Sequence, residues 1–413
     1  LLVAHLRRIA PTVSYAMAQD NNHGTSEAAA LFIGGSWLER LGHDEGQRWH
    51  RQGRVLLENR VRRLIETDGS FSQYSVNYHR LMLDTVSLVE IWRRHRGLAP
   101  FSTTYSSRLS AASAWLRALV DPESGDAPNY GANDGANLLP LTDADFRDYR
   151  PAVQLATALF EDRVAYPAGP WQGQLEWLGV RPGLAHGPTT GSTMFDDGGV
   201  AVLTLGNART MLRYPRFRFR PSHADALHVD LWVGGENLLR DGGSLSYAAE
   251  LKWQDYFAGA RGHNTVQFDD REQMARLGRF LWGPWLRTET RVPVRATSAG
   301  ETVGASYRDA HGAVHARTAE LAPGVLTVTD RLGGFASRAV LRWRLRPGDW
   351  VRDGAVASDG RHRLEVTADV PIVRWEIVPG WESRYYLQKT AIPVLEIELA
   401  SPGTVWSRYR WGK

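Results

Sequence analysis

The chain has 413 residues, of which 43% are hydrophobic and 23% charged, a balance typical of a globular protein with about two domains. It contains no cysteine, which excludes disulfides and thiolate metal sites. The net charge is only +4 and no concentrated Lys/Arg run is present, so a nucleic acid is not an expected partner. The sequence has no charged-then-apolar leader and no apolar run near the roughly 20 residues that span a bilayer. Because the chain starts at Leu1 and not at Met, we expect a cut N-terminus, with any signal peptide lost.

Up to about residue 165 the apolar residues recur with helical spacing, interrupted at Gly, Pro and Asp. Five apolar stripes predict helices, which fall at 28–38, 49–64, 78–92, 109–119 and 146–160. We expect Thr25 or Ser26 to cap the first of these and Thr142 to cap the last. Successive helices joined by moderate loops pack as antiparallel neighbours, so residues 1–165 are predicted to form a layered helical array.

The composition changes over residues 166–192 to Gly, Pro and Trp, which predicts a linker. Beyond it the apolar period drops to two, and Asp353-Gly354 and Asp359-Gly360 are typical of hairpin turns. Residues 193–413 are therefore predicted to form an antiparallel β-domain, most simply a sandwich. The fold class is α+β and multidomain.

The residues from Leu227 to Val233 alternate apolar and polar, which predicts a strand with one buried and one polar face. His223, Asp241 and His263 lie at the ends of neighbouring predicted strands, where their side chains could converge on one cation. Two imidazoles and one carboxylate suit zinc better than calcium or manganese. The alternative is that the three residues make separate, ordinary hydrogen bonds.

Two loops at predicted helix starts carry more polar groups than capping requires. The first is Gln19-Asp20-Asn21-Asn22-His23, and the second runs from Tyr74 to Arg80. If both open on one side of the array, a shared cleft would contain Asn22, His23, Tyr78 and Arg80. Alternatively, Tyr78 is a core residue and His23 a local cap.

Several motifs resemble, in order and spacing, the heparinase II/III-like polysaccharide lyases, a group that includes alginate lyases. They are N-N-H at 21–23, D-G-S-F-S-Q-Y-S-V-N-Y-H-R at 68–80, S-H-A-D-A-L at 222–227, D-G-G-S-L-S-Y at 241–247 and W-Q-D-Y-F-A-G-A-R-G-H-N-T-V at 253–266. The resemblance implies an incomplete (α/α) toroid, lacking its first helices here, followed by antiparallel β-sheets. It also implies bacterial export, to the periplasm or outside the cell.

The activity implied by the resemblance is β-elimination on a uronic-acid-containing anionic polysaccharide, with no organic cofactor. The C5 proton is acidic only if a side chain neutralises the adjacent carboxylate, a role that suits Asn22, His23 and Arg80. A Tyr/His pair then supplies the acid and the base. The resemblance assigns Tyr78 as the acid; the base is either His23 or Tyr78 itself, with His23 then neutralising the carboxylate.

The resemblance extends to further residues. It makes His223, Asp241 and His263 a structural metal site, and it predicts substrate contacts at His79, Asn133, Tyr247 and Trp253. For Asn133, in the polar loop Y-G-A-N-D-G-A-N-L, a structural role is the alternative. Several family members carry a catalytic His two residues before the metal His, where this chain has Pro221. That difference disfavours alginate or heparin as the substrate and favours another uronate polymer.

Two other functions remain open. A toroid glycoside hydrolase would need two carboxylates roughly 5–9 Å apart across the cleft, for which Glu27 and Asp134 are candidates. A glycan-binding protein of exopolysaccharide metabolism that has lost turnover is the second, and Pro221 is the main argument for it.

Overall fold

The computed structural model describes residues 1–187 and 191–412. The chain divides into two compact units, one formed by Leu1–Asp126 with Ala136–Thr189 and the other by Ala127–Gly135 with Thr190–Lys413. The short segment 127–135 thus belongs with the C-terminal unit, although it lies within the helical half of the sequence. The predicted linker covers residues 166–192. Its residues 166–187 belong to the first unit, and its residues 188–190 lie outside the described residues.

The first unit is helical, as the apolar spacing predicts. Its helices are α1 (Leu2–Ala18), α2 (Asn22–Arg40), α3 (Gly46–Leu64), α4 (Val76–His95), α5 (Thr103–Leu119), α6 (Arg150–Phe160) and α7 (Gly173–Trp177), with a 3-10 turn at Pro170–Gln172 before α7. No helix among the described residues is long and apolar enough to cross a membrane.

The predicted helix caps are wrong. Helix α2 begins earlier than expected, and the side chain of Asn21 accepts a hydrogen bond from the backbone N–H of His23, so Thr25 and Ser26 lie inside the helix. The last long helix, α6, begins only at Arg150, and the Thr142 hydroxyl accepts from Ala144 N in the preceding loop.

Helices α2 and α3 form an antiparallel pair whose contact depends on glycine. A Cβ at Gly35 would lie 2.3 Å from the backbone nitrogen of His50, and one at Gly53 would lie 2.3 Å from that of Phe32. Because real atoms do not approach so closely, the two backbones can touch only where the side chain is missing. Beside this contact, Leu6, Leu31 and Trp49 are fully buried in a core shared with α1.

The second unit is built from antiparallel strands and one helix. The elements are β1 (Thr193–Phe195), β2 (Val200–Leu205), β3 (Ala208–Arg213), β4 (Val229–Val233), β5 (Glu236–Leu239), α8 (Leu251–Ala258), β6 (Val266–Phe268), β7 (Ala275–Gly278), β8 (Leu281–Gly283), β9 (Thr288–Ala296), β10 (Glu301–Arg308), β11 (Val314–Ala322), β12 (Val325–Gly333), β13 (Ala339–Arg344), β14 (Val351–Asp353), β15 (Val356–Ser358), β16 (His362–Ala368), β17 (Ile372–Glu382), β18 (Thr390–Leu399) and β19 (Gly403–Trp411).

These strands form sheets in which every pairing is antiparallel. Strands β1 to β5 follow one another in a five-stranded sheet, and an eight-stranded sheet has the order β14-β15-β16-β19-β12-β11-β10-β9. A four-stranded sheet has the order β17-β18-β13-β6, and β7 and β8 form a separate hairpin. The predicted turns at Asp353-Gly354 and Asp359-Gly360 join β14 to β15 and β15 to β16. One hydrophobic core, which includes Leu231, Trp343 and Tyr409, packs residues from the sheets together.

Strand β4 differs from its prediction in one respect. The expected polar face is not exposed, because His228, Asp230 and Trp232 are buried along with the apolar residues between them. Buried polar side chains must find partners inside the protein. The partners of His228 and Asp230 are found in the candidate site described next.

Candidate functional site

His223, Asp241 and His263 converge, as the sequence predicts. One nitrogen from each imidazole and one carboxylate oxygen all lie within 4.8 Å of one another. His223 lies in the loop before β4, Asp241 follows β5, and His263 follows a 3-10 turn at Ala260–Gly262. The Asp241 carboxylate accepts a 2.9 Å hydrogen bond from Nδ1 of His263, and Nε2 of His223 lies 3.1 Å from the Ser244 hydroxyl.

The cluster fits a divalent metal ion. All three side chains are buried, yet Nδ1 of His223 and Nε2 of His263 have no hydrogen-bond partner within the part of the chain that the structure describes. Buried ring nitrogens without partners are unfavourable, and ligation of a metal ion would satisfy both of them. Two nitrogens and one carboxylate oxygen form a donor set that is typical of zinc.

The protonation states of the cluster also suit metal binding. Burial, together with the neighbouring His263, lowers the pKa of His223 to about 4, so this imidazole is neutral at neutral pH. Burial alone would raise the pKa of Asp241, but the imidazoles of His263, His228 and His223 outweigh it and hold this pKa below its usual range. For His263, burial opposes protonation, but Asp241 overcomes it and raises the pKa. A metal bound at Nε2 of His263 would therefore displace a proton from that nitrogen, while Nδ1 keeps its hydrogen bond to Asp241.

A second layer of polar residues lies behind Asp241. Nδ1 of His228 accepts a 2.9 Å hydrogen bond from the backbone N–H of Asn264, so the proton of a neutral His228 is on Nε2. That Nε2 lies 3.5 Å from the Asp241 carboxylate and 3.7 Å from the carboxylate of Asp230. The Asp230 carboxylate in turn accepts a 2.8 Å hydrogen bond from Asn237. Sequence reasoning missed this layer, although the alternation of β4 already placed His228 and Asp230 on one face.

A buried arginine ties together the two loops that carry the histidine ligands. Arg317, on β11, pairs with Asp330 on β12 and donates to the backbone carbonyls of Leu227 and Asn264. One carbonyl follows the loop of His223 and the other is next to His263. Arg317 thus fixes the spacing of these loops from the core side.

Tyr247 and Trp253 line one pocket of about 410 Å³ in the second unit. The loop after Asp241 supplies Tyr247 and helix α8 supplies Trp253. His223 and Ser244 line the same pocket, so it reaches the metal-binding cluster. The two aromatic residues predicted to contact substrate therefore lie in an accessible depression beside that cluster.

In the helical unit, the two polar loops lie against each other. The backbone N–H of Asn22 donates a 2.8 Å hydrogen bond to the side chain of Gln73, and the Ser72 hydroxyl donates a 3.0 Å hydrogen bond to the Asp20 carbonyl. Both helix starts, α2 and α4, are therefore held together at one end of the helical unit. His23 is exposed and Asn22 half-buried.

Tyr78 lies in the first turn of α4, where the Ser75 hydroxyl caps its backbone N–H at 3.1 Å. Its side chain is 7% exposed. Glu27, one turn after His23, has one carboxylate oxygen that is buried without a hydrogen-bond partner among the described residues, and burial raises its pKa. Of the two carboxylates that the hydrolase alternative would need, the one on α2 therefore has a raised pKa.

The contacts of His79 argue against the predicted role in binding substrate. Its ring is fully buried, stacks on Trp115 with a centroid distance of 4.4 Å, and donates from Nε2 to the Ala112 carbonyl at 2.8 Å. Burial lowers the pKa of His79 to about 4. A polysaccharide cannot reach this ring, so we assign His79 to the helical core.

Arg80 and Asn133 also have structural contacts. The guanidinium of Arg80 is buried, donates to Asn77 at 2.8 Å and lies over the rings of Phe146 and Tyr149. Its charge is thus used to fasten the loop before α6. Asn133 is 3% exposed, and its side-chain oxygen accepts from the backbone N–H of Gly135 at 2.7 Å. That contact favours the structural alternative for its loop.

Comparison with known proteins adds independent information. Residues 187–375 match the family model described as heparinase II/III-like, C-terminal. A solved structure of heparinase III has a TM-score of 0.75 and 14% identity, with 98% of this chain and 64% of that chain covered. The heparan sulfate lyase HepC from Pedobacter heparinus has a TM-score of 0.70 and 16% identity, with 98% and 62% covered. A chondroitinase AC lyase has a TM-score of 0.52 and 11% identity, with 96% and 62% covered.

No curated protein sequence gave a significant match. The chain spans about three fifths of the length of the solved structures that it resembles.

The fold is therefore that of the toroid lyases, in which an (α/α) helical toroid is followed by antiparallel β-sheets. The match over residues 187–375 contains all three metal-cluster residues, so this part of the chain is similar to the C-terminal part of heparinase II/III-like proteins.

Proposed function

We propose that the protein is a polysaccharide lyase that cleaves a uronic-acid-containing anionic polysaccharide by β-elimination. The observation that carries the proposal is that the fold of heparinase III and of a heparan sulfate lyase extends over 98% of the chain. The contact between the loops of Asn22 and Gln73 supports it, because it brings the predicted acid, base and carboxylate-binding residues to one end of the helical unit.

The chemistry requires a base, an acid and a group that stabilises charge. The base removes the C5 proton of the uronate, the electron pair forms the C4–C5 double bond, and the C4–O bond breaks as the leaving oxygen takes a proton from the acid. No water is consumed. Asn22 is the donor for the uronate carboxylate, whose negative charge grows as the proton leaves.

Tyr78 is the proposed acid, since a neutral phenol can give its proton to a leaving alkoxide. His23 is exposed and free to act as the base. If Tyr78 takes both roles, His23 neutralises the carboxylate instead. Arg80 donates to the carbonyls of Phe146 and Ala136, so its proposed role is to fix the loop before α6.

The metal is proposed to be zinc, held by His223, Asp241 and His263. A divalent cation there would cross-link three loops of the second unit and so order the wall that bears Tyr247. Its proposed role is structural, and the elimination is assigned to the helical unit. Export to the periplasm or the medium is proposed because a polymeric substrate is encountered there.

The experiment is a screen of uronic-acid polysaccharides for ultraviolet absorbance, with reducing ends measured in parallel. The new C4–C5 double bond is conjugated with the carboxylate and absorbs, whereas hydrolysis creates reducing ends without a chromophore. A rise in both signals on one polymer supports the lyase. Reducing ends without absorbance would instead support the hydrolase, with Glu27 as its acid.

A second candidate is a glycan-binding protein without turnover. Pro221 favours it, because proline has no side-chain group to transfer a proton at the position where family members carry a histidine. Binding of a uronate polymer with neither absorbance nor reducing ends would support this reading over the first.

A further inference from the structure

The pocket of about 410 Å³ in the second unit, called here the hairpin pocket, carries more than the two predicted aromatic contacts. One wall is the two-residue tip of the β7–β8 hairpin, Arg279 and Phe280. Ser244 and Ser246 also line the pocket; the Ser244 hydroxyl lies 3.1 Å from Nε2 of His223, and the Ser246 hydroxyl donates to the Tyr386 hydroxyl. Aromatic rings beside polar side chains are typical of sites that hold a sugar ring.

The charge of the hairpin pocket is positive. Arg276 and Arg279 line it, and no acidic side chain does. Arg276 is already paired with Asp255, which cancels most of its charge. Arg279 is exposed, and its side chain makes no ion pair or hydrogen bond within residues 1–187 and 191–412. One uncompensated guanidinium is therefore available at the rim.

The hairpin presents this guanidinium from a fixed base. Trp282 is 2% exposed, belongs to the core of the unit, and donates from Nε1 to the Ser222 carbonyl at 3.1 Å. The tip, by contrast, is open, with Phe280 43% exposed. The ring of Phe280 meets the Tyr247 ring edge-on, at 90° and 5.0 Å. Anchoring at Trp282 sets where Arg279 can reach, while exposure leaves it free to bind a ligand.

We propose that the hairpin pocket binds one acidic sugar ring, with Arg279 holding a carboxylate or sulfate group and the rings of Tyr247 and Phe280 contacting the sugar. The β7–β8 hairpin then determines which acidic polymer is accepted. This inference rests on the proposed function for its ligand class. It depends only on residues of the second unit, whereas the elimination depends on the first.

The test measures binding by calorimetry in protein that carries Tyr78→Phe, so that the sugar is not consumed. The probes are two tetrasaccharides of alternating uronic acid and hexosamine, one unsulfated and one sulfated. Arg279→Gln is compared with Arg295→Gln, which removes the same charge from an exposed position on β9 outside the pocket. Loss of a charge-assisted hydrogen bond predicts about tenfold or greater weakening for Arg279→Gln and no change for Arg295→Gln.

Weakening with both probes identifies the carboxylate as the partner of Arg279, and weakening with the sulfated probe alone identifies sulfate. Equal affinity of the two arginine variants for both probes overturns the proposal, as does a Tyr78→Phe parent that binds neither probe. If the probes bind through Arg279 but the wild type turns over no polymer, the proposed lyase function is wrong and the proposed sugar binding by the hairpin pocket is supported.

Discussion

At the scale of single residues, burial decides which of the predicted polar side chains can do chemistry. Tyr78 and His79 are neighbours in one motif and both are buried, Tyr78 at 7% exposed and His79 at 0%, but their side chains leave the helix in different directions. The motif could be read from the sequence, but the direction of each side chain could not. His23 shows the opposite case, since it is exposed at the start of α2.

His228 is expected to support the metal through Asp241. In His228→Asn the amide oxygen can still accept from Asn264 N–H, but the Nε2 that lies 3.5 Å from Asp241 is lost. Groups that orient a ligating carboxylate typically change metal affinity by about 10–100-fold. We expect weakening of that order in a zinc competition with a chromophoric chelator.

The matched control is His362→Asn, which removes a buried histidine paired with Asp359 elsewhere in the same unit. Equal zinc affinity in the two variants would contradict the role of His228.

His79 makes the folding stability depend on pH. Its pKa is about 4 in the folded protein and near 6.5 when unfolded, so the unfolded state binds the proton more tightly. The unfolding free energy that depends on a neutral His79 is fully present above pH 6.5 and is lost as the pH falls towards 4. Between pH 7 and pH 5 the wild type should lose about 2 kcal/mol more unfolding free energy than His79→Gln, which does not titrate.

The measurement is urea unfolding at both pH values. Parallel losses in the two proteins would show that His79 is accessible to protons in the folded state, and would reopen its role in binding substrate.

At the scale of elements, the sequence predicts well that a helix is present but predicts poorly where it begins. The α2 region offers Asn21, Thr25 and Ser26, three residue types that all cap helices, and spacing alone does not choose among them. For α6, Phe146 and Tyr149 continue the apolar stripe but precede the helix, because both rings lie against the Arg80 guanidinium and not on a helical face. Apolar residues of a packed loop can thus have the same sequence spacing as those of a helical turn.

The cap of α2 can be tested directly. Asn21→Ala removes the acceptor of the His23 N–H and should lower the unfolding free energy by about 1 kcal/mol. Ser26→Ala, at an exposed position inside the helix, should lie within about 0.5 kcal/mol of the wild type. Thermal or urea unfolding distinguishes the two, and a larger loss in Ser26→Ala would restore the original assignment.

Strand β4 shows why a strand pattern is incomplete evidence. Alternation correctly predicted the strand and its register of faces, but polar residues imply exposure only when nothing inside the protein can satisfy them. Nδ1 of His228 accepts from the backbone N–H of Asn264 and the Asp230 carboxylate accepts from Asn237, and both partners come from other segments.

At the scale of the whole molecule, the fold class was predictable because two periodicities succeed each other along the chain. The convergence of His223, Asp241 and His263 was predictable as well, since all three end predicted strands. The Arg317 contacts were not predictable, because the partners are backbone carbonyls 53 and 90 residues away. Every residue has a backbone carbonyl, so residue type does not indicate which one is the partner. The segment 127–135 belongs to the second unit for reasons equally invisible to local pattern.

The central claim is that the phenol of Tyr78 performs proton transfer in an elimination. Tyr78→Phe removes only the hydroxyl, and Tyr105→Phe is its matched control: a buried tyrosine of the same unit whose hydroxyl has no hydrogen-bond partner among the described residues. The decisive experiment measures kcat by ultraviolet absorbance, on the uronate polymer that the wild type cleaves fastest. The affinity for the same polymer is measured in parallel. The account predicts that Tyr78→Phe loses at least about 100-fold in kcat while still binding the polymer, and that Tyr105→Phe keeps wild-type turnover. Turnover by Tyr78→Phe equal to that of Tyr105→Phe would contradict it.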